Sequence, residues 1–443
     1  MDKVWWRGLN PEIVRSEEAK KLRLSVQAMI PAHDEEAFIA STVGSVQAQD
    51  YPVGEIVVIA DNCSKFDRTA TFARRAGARV IINPPDPITG RSNKPRAQNA
   101  ALPSIQSELL LTVDADTKME PDALGKMVPY FNDPKAFGVS GYIISQNILD
   151  YLSNVEPRKK EIKAELAMME KGWKALKRFG ISGWKETRKE WRDYKKENSL
   201  SIWERGRLVE YLYQLAIVKP GQNHTQSIFV TSGCMAVFRT SMLRELGGFN
   251  VKIFNEDMLI TWLARKKGWR SYYEEGAVCY PFEPADFTTF WQQDDRWYRG
   301  TFQCLKYVRF NLFFFGVIPA LFAYFSIISG AFGPFLLPLF AWGALRFITD
   351  AGWETFLFLT LSQIVTSWLA IWIPALYVAR KRGMLKLALS SLPASVVTQA
   401  VNSIAFVRAM VMELILDIPL GPWIKGHDAK ARFAPKVPTG NAL

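Results

Sequence analysis

Between Val26 and Ile144 short apolar runs alternate with amphipathic stretches. VQAMI (26–30), EIVVIAD (55–61), RVIIN (79–83), LLLTVDAD (109–116) and GVSGYII (138–144) predict buried strands. EEAFIASTVGSVQAQ, TATFARRAG, KPRAQNAAL and PDALGKMVPYF predict the helices between them, with Pro121 suited to a first helical turn. Strand and helix in alternation imply an α/β domain with a mostly parallel, doubly wound sheet, which binds ligands beyond the carboxyl ends of its strands. Residues 151–207 lack any strand signal. Ile162, Leu166, Met169, Trp173 and Leu176 recur every three or four residues, and Trp184, Trp191 and Trp203 follow, so an amphipathic helical insertion is expected there. It would either pack on the α/β domain as a hairpin or lie in a membrane interface.

The carboxyl-terminal part has a different pattern. Residues 310–345 and 355–379 contain no charged side chain, and each run is long enough to span a bilayer. Pro319, Gly330, Gly333, Pro334 and Pro338 suggest that the first run is broken, as one span with a re-entrant piece or as two short spans. A third uncharged run, 387–407, is more polar, with Ser390, Ser391, Thr398, Gln399 and Asn402, and would span or lie flat. Arg380, Lys381, Arg382 and Lys386, with Lys425, Lys430, Arg432 and Lys436, place the basic loops in the cytosol by the positive-inside rule. The sequence thus divides into an extension (1–25), an α/β domain (26–303), membrane or interfacial helices (304–420) and a cytoplasmic tail (421–443).

Composition sharpens this division. A chain of 443 residues exceeds what one core organises, and its mean hydropathy of -0.02 averages a polar part with an apolar one. The net charge of +12 suits anionic lipid headgroups, and no nucleic-acid partner is expected. Cys63, Cys234, Cys279 and Cys304 lie far apart without CxxC spacing, against a zinc site or a disulfide framework. The first 25 residues hold no run long enough for a signal peptide or a span, so the α/β domain is expected on the cytoplasmic side of a multi-pass membrane protein.

The candidate chemistry sits at strand ends. Ile30-Pro31-Ala32-His33-Asp34-Glu35-Glu36 closes the first strand where a turn can cradle a nucleotide, and Ile59-Ala60-Asp61-Asn62 closes the second with an acid able to accept from a base or ribose. Val113-Asp114-Ala115-Asp116 places two carboxylates two residues apart at the end of an apolar strand. They would repel each other without a counter-charge, which a divalent cation bridging to a diphosphate supplies.

With Phe254-Asn255-Glu256-Asp257-Met258 and Gln293-Asp294-Asp295-Arg296-Trp297, these motifs resemble the family 2 glycosyltransferases, the membrane-bound group that includes cellulose, chitin and hyaluronan synthases. The resemblance runs from about residue 26 to 303, apart from the insertion. It implies a GT-A type nucleotide-sugar-binding domain, a nucleotide-sugar donor, most simply a UDP-sugar, and Mg²⁺ or Mn²⁺. Pro31, His33 and Asp61 then fall where the family holds the uridine, His33 replacing a more usual Tyr. Lys94, in Asn93-Lys94-Pro95-Arg96, matches the basic residue near the nucleotide. Asp114 and Asp116 match the metal motif, with Asp116 the direct ligand, and Asp257 after Glu256 matches the catalytic base. Gln293, Arg296 and Trp297 fit the QxxRW signature, which the resemblance places with Trp297 beneath the acceptor sugar and the polar residues near the diphosphate. Gly233, in Thr231-Ser232-Gly233-Cys234-Met235-Ala236, matches a turn that approaches donor and acceptor.

One base and no second carboxylate nucleophile imply inversion at the anomeric carbon. The acceptor is expected to be a saccharide or a lipid-linked group. Three readings stay open: a polysaccharide synthase, transfer of one sugar to a membrane-associated acceptor, and a non-catalytic membrane scaffold that retains the fold.

Overall fold

The computed structural model describes residues 23–85, 93–158, 160, 164, 199–350 and 352–418. Its centre is an eight-stranded mixed sheet in the order β3-β2-β1-β4-β7-β6-β8-β5. The strands are β1 (Val26–Ala32), β2 (Glu55–Asp61), β3 (Arg79–Asn83), β4 (Leu109–Val113), β5 (Lys118–Met119), β6 (Ala136–Ile143), β7 (Met235–Arg239) and β8 (Arg270–Tyr280). The first three pairs from the β3 edge are parallel, β7 runs antiparallel to both β4 and β6, and β6 is parallel to β8. All five strands predicted from apolar runs therefore point the same way. The sheet is nonetheless mixed, because β7 inserts between β4 and β6 and breaks the expected continuous parallel order.

Strand periodicity divides the core into two layers. Ala28, Ile30, Ile56, Val58, Leu109 and Leu111 bury one face, together with Ile39, Val43 and Val46 of α1 (Ile39–Gln47) and Ala73 of α2 (Thr69–Arg75). Met29, Val57, Ile59 and Leu110, one residue out of step, bury the other. That second face receives Ala97 and Ala101 of α3 (Lys94–Ala101), Leu243 of α8 (Thr240–Glu245), and Ile260 and Ala264 of α9 (Glu256–Lys266). Three short helices complete the domain: α4 (Ala123–Met127), α5 (Gln146–Asp150) and α7 (Lys219–His224).

The remaining helices join the sheet domain to the carboxyl-terminal part. Ser201 opens α6 (Ile202–Tyr213) with a capping box: its side chain accepts from Glu204 N while Glu204 accepts from Ser201 N. Trp203 lies on α6, whereas Ile162, Leu166, Met169, Trp173, Leu176, Trp184 and Trp191 of the expected insertion lie outside the described residues, as does 421–443. The boundary expected at residue 303 falls inside α10 (Phe287–Tyr307).

The uncharged runs form α11 (Val317–Ile348), α12 (Trp353–Lys381) and α13 (Leu385–Leu414). The first run is one continuous helix, without the break suggested by its glycines and prolines. Pro319 sits in the first turn, where its missing N–H has no intrahelical partner to lose. By length and composition α12 and α13 could each cross a membrane. Leu357, Phe358, Leu361 and Ile373 of α12 are exposed, whereas Ala375, Val378 and Ala379 pack with Leu208, Val209 and Leu212 of α6. The polarity of α13 has a packing cause, since Ser391, Ser395 and Thr398 are buried. The Arg382 guanidinium lies 3.8 Å from the Tyr142 ring centroid and 3.3 Å from Glu275, so the basic turn after α12 abuts the sheet.

The α6–α13 contact is tight at Gly206, where an added Cβ would fall 2.3 Å from Thr398. Gly206→Ala should therefore force the helices apart and cost about 1–3 kcal/mol, measured as a lower unfolding midpoint of the full chain in detergent. An unchanged midpoint would show that the contact has slack.

Candidate active site

Side chains from four distant segments meet at the carboxyl end of β4. Asn93 caps α3 by accepting from Arg96 N, which sets Lys94 at the first helical position. The Lys94 ammonium lies 2.6 Å from Asp114 Oδ1 and 3.7 Å from Glu256 Oε1, and donates to Gly233 O at 2.8 Å. Gly233 N in turn donates to Asp257 Oδ2 at 2.9 Å, and Asp257 Oδ1 accepts from Met258 N at 2.8 Å. The structure thus brings Lys94, Asp114, Gly233, Glu256 and Asp257 into one cluster. A Cβ on Gly233 would fall 2.9 Å from Asp257 Oδ2 and 3.0 Å from Lys94 Nζ, a space only glycine leaves open.

The acid pair is differently placed than the pattern suggested. β4 ends at Val113, opposite Met235 of β7, and Thr117 N donates to Asp114 O at 3.0 Å, so Asp114 and Asp116 lie on a turn. The turn is held from behind, where Asp114 N donates to Cys234 O and Thr42 Oγ1 to Ala115 O.

Burial and mutual charge set the protonation of the cluster. Burial raises the Asp114 pKa, and Asp116 adds to the rise against the opposing Lys94 and Arg296. Burial also pushes Glu256 up to about 7, with Lys94 opposing and Asp257 reinforcing. Burial works against the Lys94 ammonium, yet Asp114, Glu256 and Asp257 together hold its pKa above the ordinary lysine value. The carboxylates of Asp114, Asp116, Glu256 and Asp257 thus gather oxygen donors beside Lys94 and Arg296. Such a donor set fits a hard divalent cation.

Pro31, His33 and Asp61, expected on the nucleotide side, lie at the neighbouring strand ends. β1 pairs with β4 only from Val26 to Met29, and Pro31 lies just past that pairing. His33 Nδ1 is 2.8 Å from Asp61 O, and the buried Asp61 carboxylate accepts from Asn83 Nδ2 at 2.5 Å. Asn83, the last residue of β3, was not singled out by sequence; its only signal is its place at the end of an apolar run. Nearby, Asp34, Cys63 and Asp67 could group around a metal ion. Asp34 already accepts from Ser64 N and Oγ, and burial pushes the Cys63 thiol up to about 11, so it keeps its proton.

The helix α10 supplies the remaining candidates. Gln293, Arg296 and Trp297 share a face by their spacing of three and four residues. Arg296 is close enough to Asp114 and Glu256 to lower both. Trp297 O accepts from Asn255 Nδ2 at 2.7 Å, and Gly300 lets the helix approach Asn255, since a Cβ there would fall 2.5 Å from it. Gln293 Oε1 accepts from Arg207 Nη2 at 3.0 Å.

Buried cations near the cluster, Arg207 and Lys219, escaped sequence reasoning. Arg207 on α6 carried no motif signal. Lys219 on α7 donates to Val230 O, and burial pulls its pKa down to about 8, with Asp257 opposing. Behind α10, burial pushes Glu283 up to about 7 and Asp294 to about 6, in both cases against Arg207.

Two outcomes follow from this geometry. Gly233→Ala should displace Asp257 or Lys94 and lower any turnover at least about tenfold, the loss expected when a group is misplaced by an ångström, with the unfolding midpoint little changed. The second concerns pH. Glu283 and Asp294 titrate near 4 when unfolded, so between about pH 4 and 7 the folded chain holds protons that the unfolded chain has released. Their contribution to stability is present at low pH and lost as pH rises through 6 and 7. The midpoint should fall between about pH 4 and 7, and Glu283→Gln should flatten that fall; a parallel profile would exclude Glu283 as its source.

Comparison with known proteins agrees with the resemblance carried by the motifs. Residues 23–300 match the family described as "Glycosyltransferase like family 2", and residues 196–412 match "Glycosyl transferase family group 2". The poly-β-1,6-N-acetyl-D-glucosamine synthase of Staphylococcus aureus (strain COL) is 22% identical over 278 residues, 62% of this chain and 54% of that protein. The Staphylococcus epidermidis synthase of the same name is 22% identical over 294 residues, 66% and 58% respectively. The chain spans about half the length of these curated relatives. Among solved structures, a mannosyltransferase from Pyrobaculum calidifontis in complex with GDP-mannose and Mn²⁺ is 18% identical, with 86% and 88% of the two chains covered and a TM-score of 0.48. Glucosyl-3-phosphoglycerate synthase from Mycobacterium tuberculosis, in complex with Mn²⁺, UDP and glucosyl-3-phosphoglycerate, is 14% identical over 66% and 83%, with a TM-score of 0.38. With more than half of its length matched by the family description, the chain belongs to the family 2 glycosyltransferases.

Proposed function

We propose that the protein transfers a sugar, with inversion, from a nucleotide-sugar donor, most simply a UDP-sugar, to a hydroxyl of a saccharide or membrane-associated acceptor. The observation that carries this reading is the Asp257 carboxylate. It is held by Gly233 N and Met258 N, and Gly233 O binds the same Lys94 that pairs with Asp114. A proton acceptor and the cations for a leaving diphosphate thus stand on one framework.

In the proposed reaction Asp257 takes the proton of the acceptor hydroxyl as its oxygen forms a bond to the anomeric carbon. The bond from that carbon to the diphosphate breaks on the opposite face, which inverts the centre. Lys94 and Arg296 lie where they would stabilise the departing negative charge. Asp116, with Asp114 beside it, would hold Mg²⁺ or Mn²⁺, which supplies further charge stabilisation to the diphosphate when bound. Pro31, His33 and Asp61 would hold the nucleotide, Gln293 would lie near its diphosphate, and Trp297 would lie beneath the acceptor, for which it offers an apolar ring face. The exposed apolar side of α12 supports a membrane setting, with the sheet domain on the cytoplasmic side beside the basic turn Arg380–Lys386.

The synthases named above favour repeated addition to a growing polysaccharide. A second reading, one addition per acceptor, is favoured by the small helical set: among the described residues, two helices pass the length and composition test for a span. Product length separates the two. A screen of sugar nucleotides for Mg²⁺- or Mn²⁺-dependent diphosphate release by the full chain in detergent should find one preferred donor. Asp257→Asn should then lower kcat by about 10²–10⁴ with the donor KM within about threefold. No release with any donor, unaltered by the substitution, would instead support a non-catalytic scaffold.

A further inference from the structure

Strand β3 forms one edge of the sheet, and its burial runs against its hydropathy. Ile82 is 58% exposed, whereas Asn83, the last residue of the strand, is 7% exposed. Apolar burial alone does not explain an edge strand that leaves an isoleucine in water and encloses an amide. The partner of that amide is Asp61.

Asp61 and Asn83 are the last paired residues of β2 and β3. Asn83 Nδ2 donates to Asp61 Oδ1 at 2.5 Å, and Asn83 O accepts from Asn62 N at 2.9 Å. Asn62 has a φ of 48°, in the left-handed region, so the chain turns directly after Asp61 and that turn is tied back to β3. His33 Nδ1 lies 2.8 Å from Asp61 O. Arg96 of α3 donates to Pro84 O, which fastens the end of β3 to the helix that carries Lys94. Asn83 therefore holds the Asp61 carboxylate through its side chain and the following turn through its backbone.

We infer that Asn83 is a positioning residue for the nucleobase of the donor, which acts by fixing the direction in which the Asp61 carboxylate meets the base. This rests on the proposed assignment of Asp61 to the nucleotide. A carboxylate only accepts, so the base that suits it carries a ring N–H at its hydrogen-bonding edge, as N3 of uracil and N1 of guanine do. Cytosine and adenine present a lone pair at the same ring position. Without the Asn83 amide the Asp61 side chain can turn, and the distinction between N–H and lone pair is lost.

The test measures binding of UDP, CDP, GDP and ADP to the full chain in detergent with Mn²⁺, by calorimetry, and so needs no acceptor. Wild type should bind UDP at least about tenfold tighter than CDP, or GDP at least about tenfold tighter than ADP. Asn83→Leu, which keeps the outline of the side chain and loses its donor, should weaken the favoured nucleotide about tenfold. It should move the disfavoured one less than about threefold. Asn83→Ala, measured the same way, serves if the leucine variant does not fold. A role in folding alone predicts equal losses for both nucleotides. Asp61→Ala combined with Asn83→Leu should bind as Asp61→Ala does, within about threefold, because Asn83 acts through Asp61. Equal losses, an unchanged preference or multiplicative effects in the double variant would overturn the positioning role while leaving nucleotide binding intact. A wild-type chain that binds these nucleotides without preference would overturn the contact of Asp61 with the base, and the inference with it. One that binds none of them would overturn the proposed donor itself.

Discussion

Carboxylates gathered in a half-buried cleft repel one another, and the candidate site depends on how that repulsion is met. Asp114, Asp116, Glu256 and Asp257 arrive from two segments more than a hundred residues apart. The Lys94 ammonium is the counter-charge that lets them coexist, touching Asp114, Glu256 and the Gly233 carbonyl at once. Because Gly233 also donates to Asp257, the ammonium fixes the carboxylate of the candidate base indirectly. The cap at Asn93 is what aims Lys94 into the cleft, so a local helix-start signal has a consequence for the whole site.

The fold was legible where burial is two-sided. β1, β2 and β4 are continuous apolar runs because both sheet faces are covered, and such runs declare themselves in sequence. β8 did not, because RSYYEEGAVCY carries acids inside a strand. Glu274 is buried there, accepting from Tyr130 Oη and Gly276 N, contacts that no periodicity reveals. β7 was hidden for another reason: its five residues follow directly on the Ser232-Gly233-Cys234 turn, and the turn was the louder signal. The same strand explains the misplaced acid pair, since pairing of β4 with β7 stops at Val113 and leaves Asp114 to Asp116 on the turn beyond.

Within the site, residues carried by short motifs were legible and those that act across the fold were not. Lys94, Gly233 and Asp257 each sit in a recognisable local pattern, and the structure places them together. Arg207 has no such pattern, and the Gln293 and Asp294 it bonds lie 86 and 87 residues away. Its segment reads as one more turn of an amphipathic helix. Only the folded chain shows that this helix touches both α10 and the carboxyl-terminal helices.

That placement bears on how far the sheet domain and the carboxyl-terminal helices can be treated as separate parts. α10 carries Gln293, Arg296 and Trp297 toward the cleft, while its other side chains bind α13. Arg299 pairs with Glu413 at 2.7 Å, Asp295 pairs with Arg408, and Gln303 donates to Glu413 at 3.2 Å. Phe302, Cys304 and Leu305 of α10 share an apolar cluster with Trp262 of α9 and Ala409 of α13. The buried pair Arg299–Glu413 is worth keeping only while both partners are present, since either alone would be an uncompensated charge. The distance between Trp297 and Asp257 is therefore set by a three-way packing of α9, α10 and α13. α13 thus braces the helix that carries the candidate residues Arg296 and Trp297.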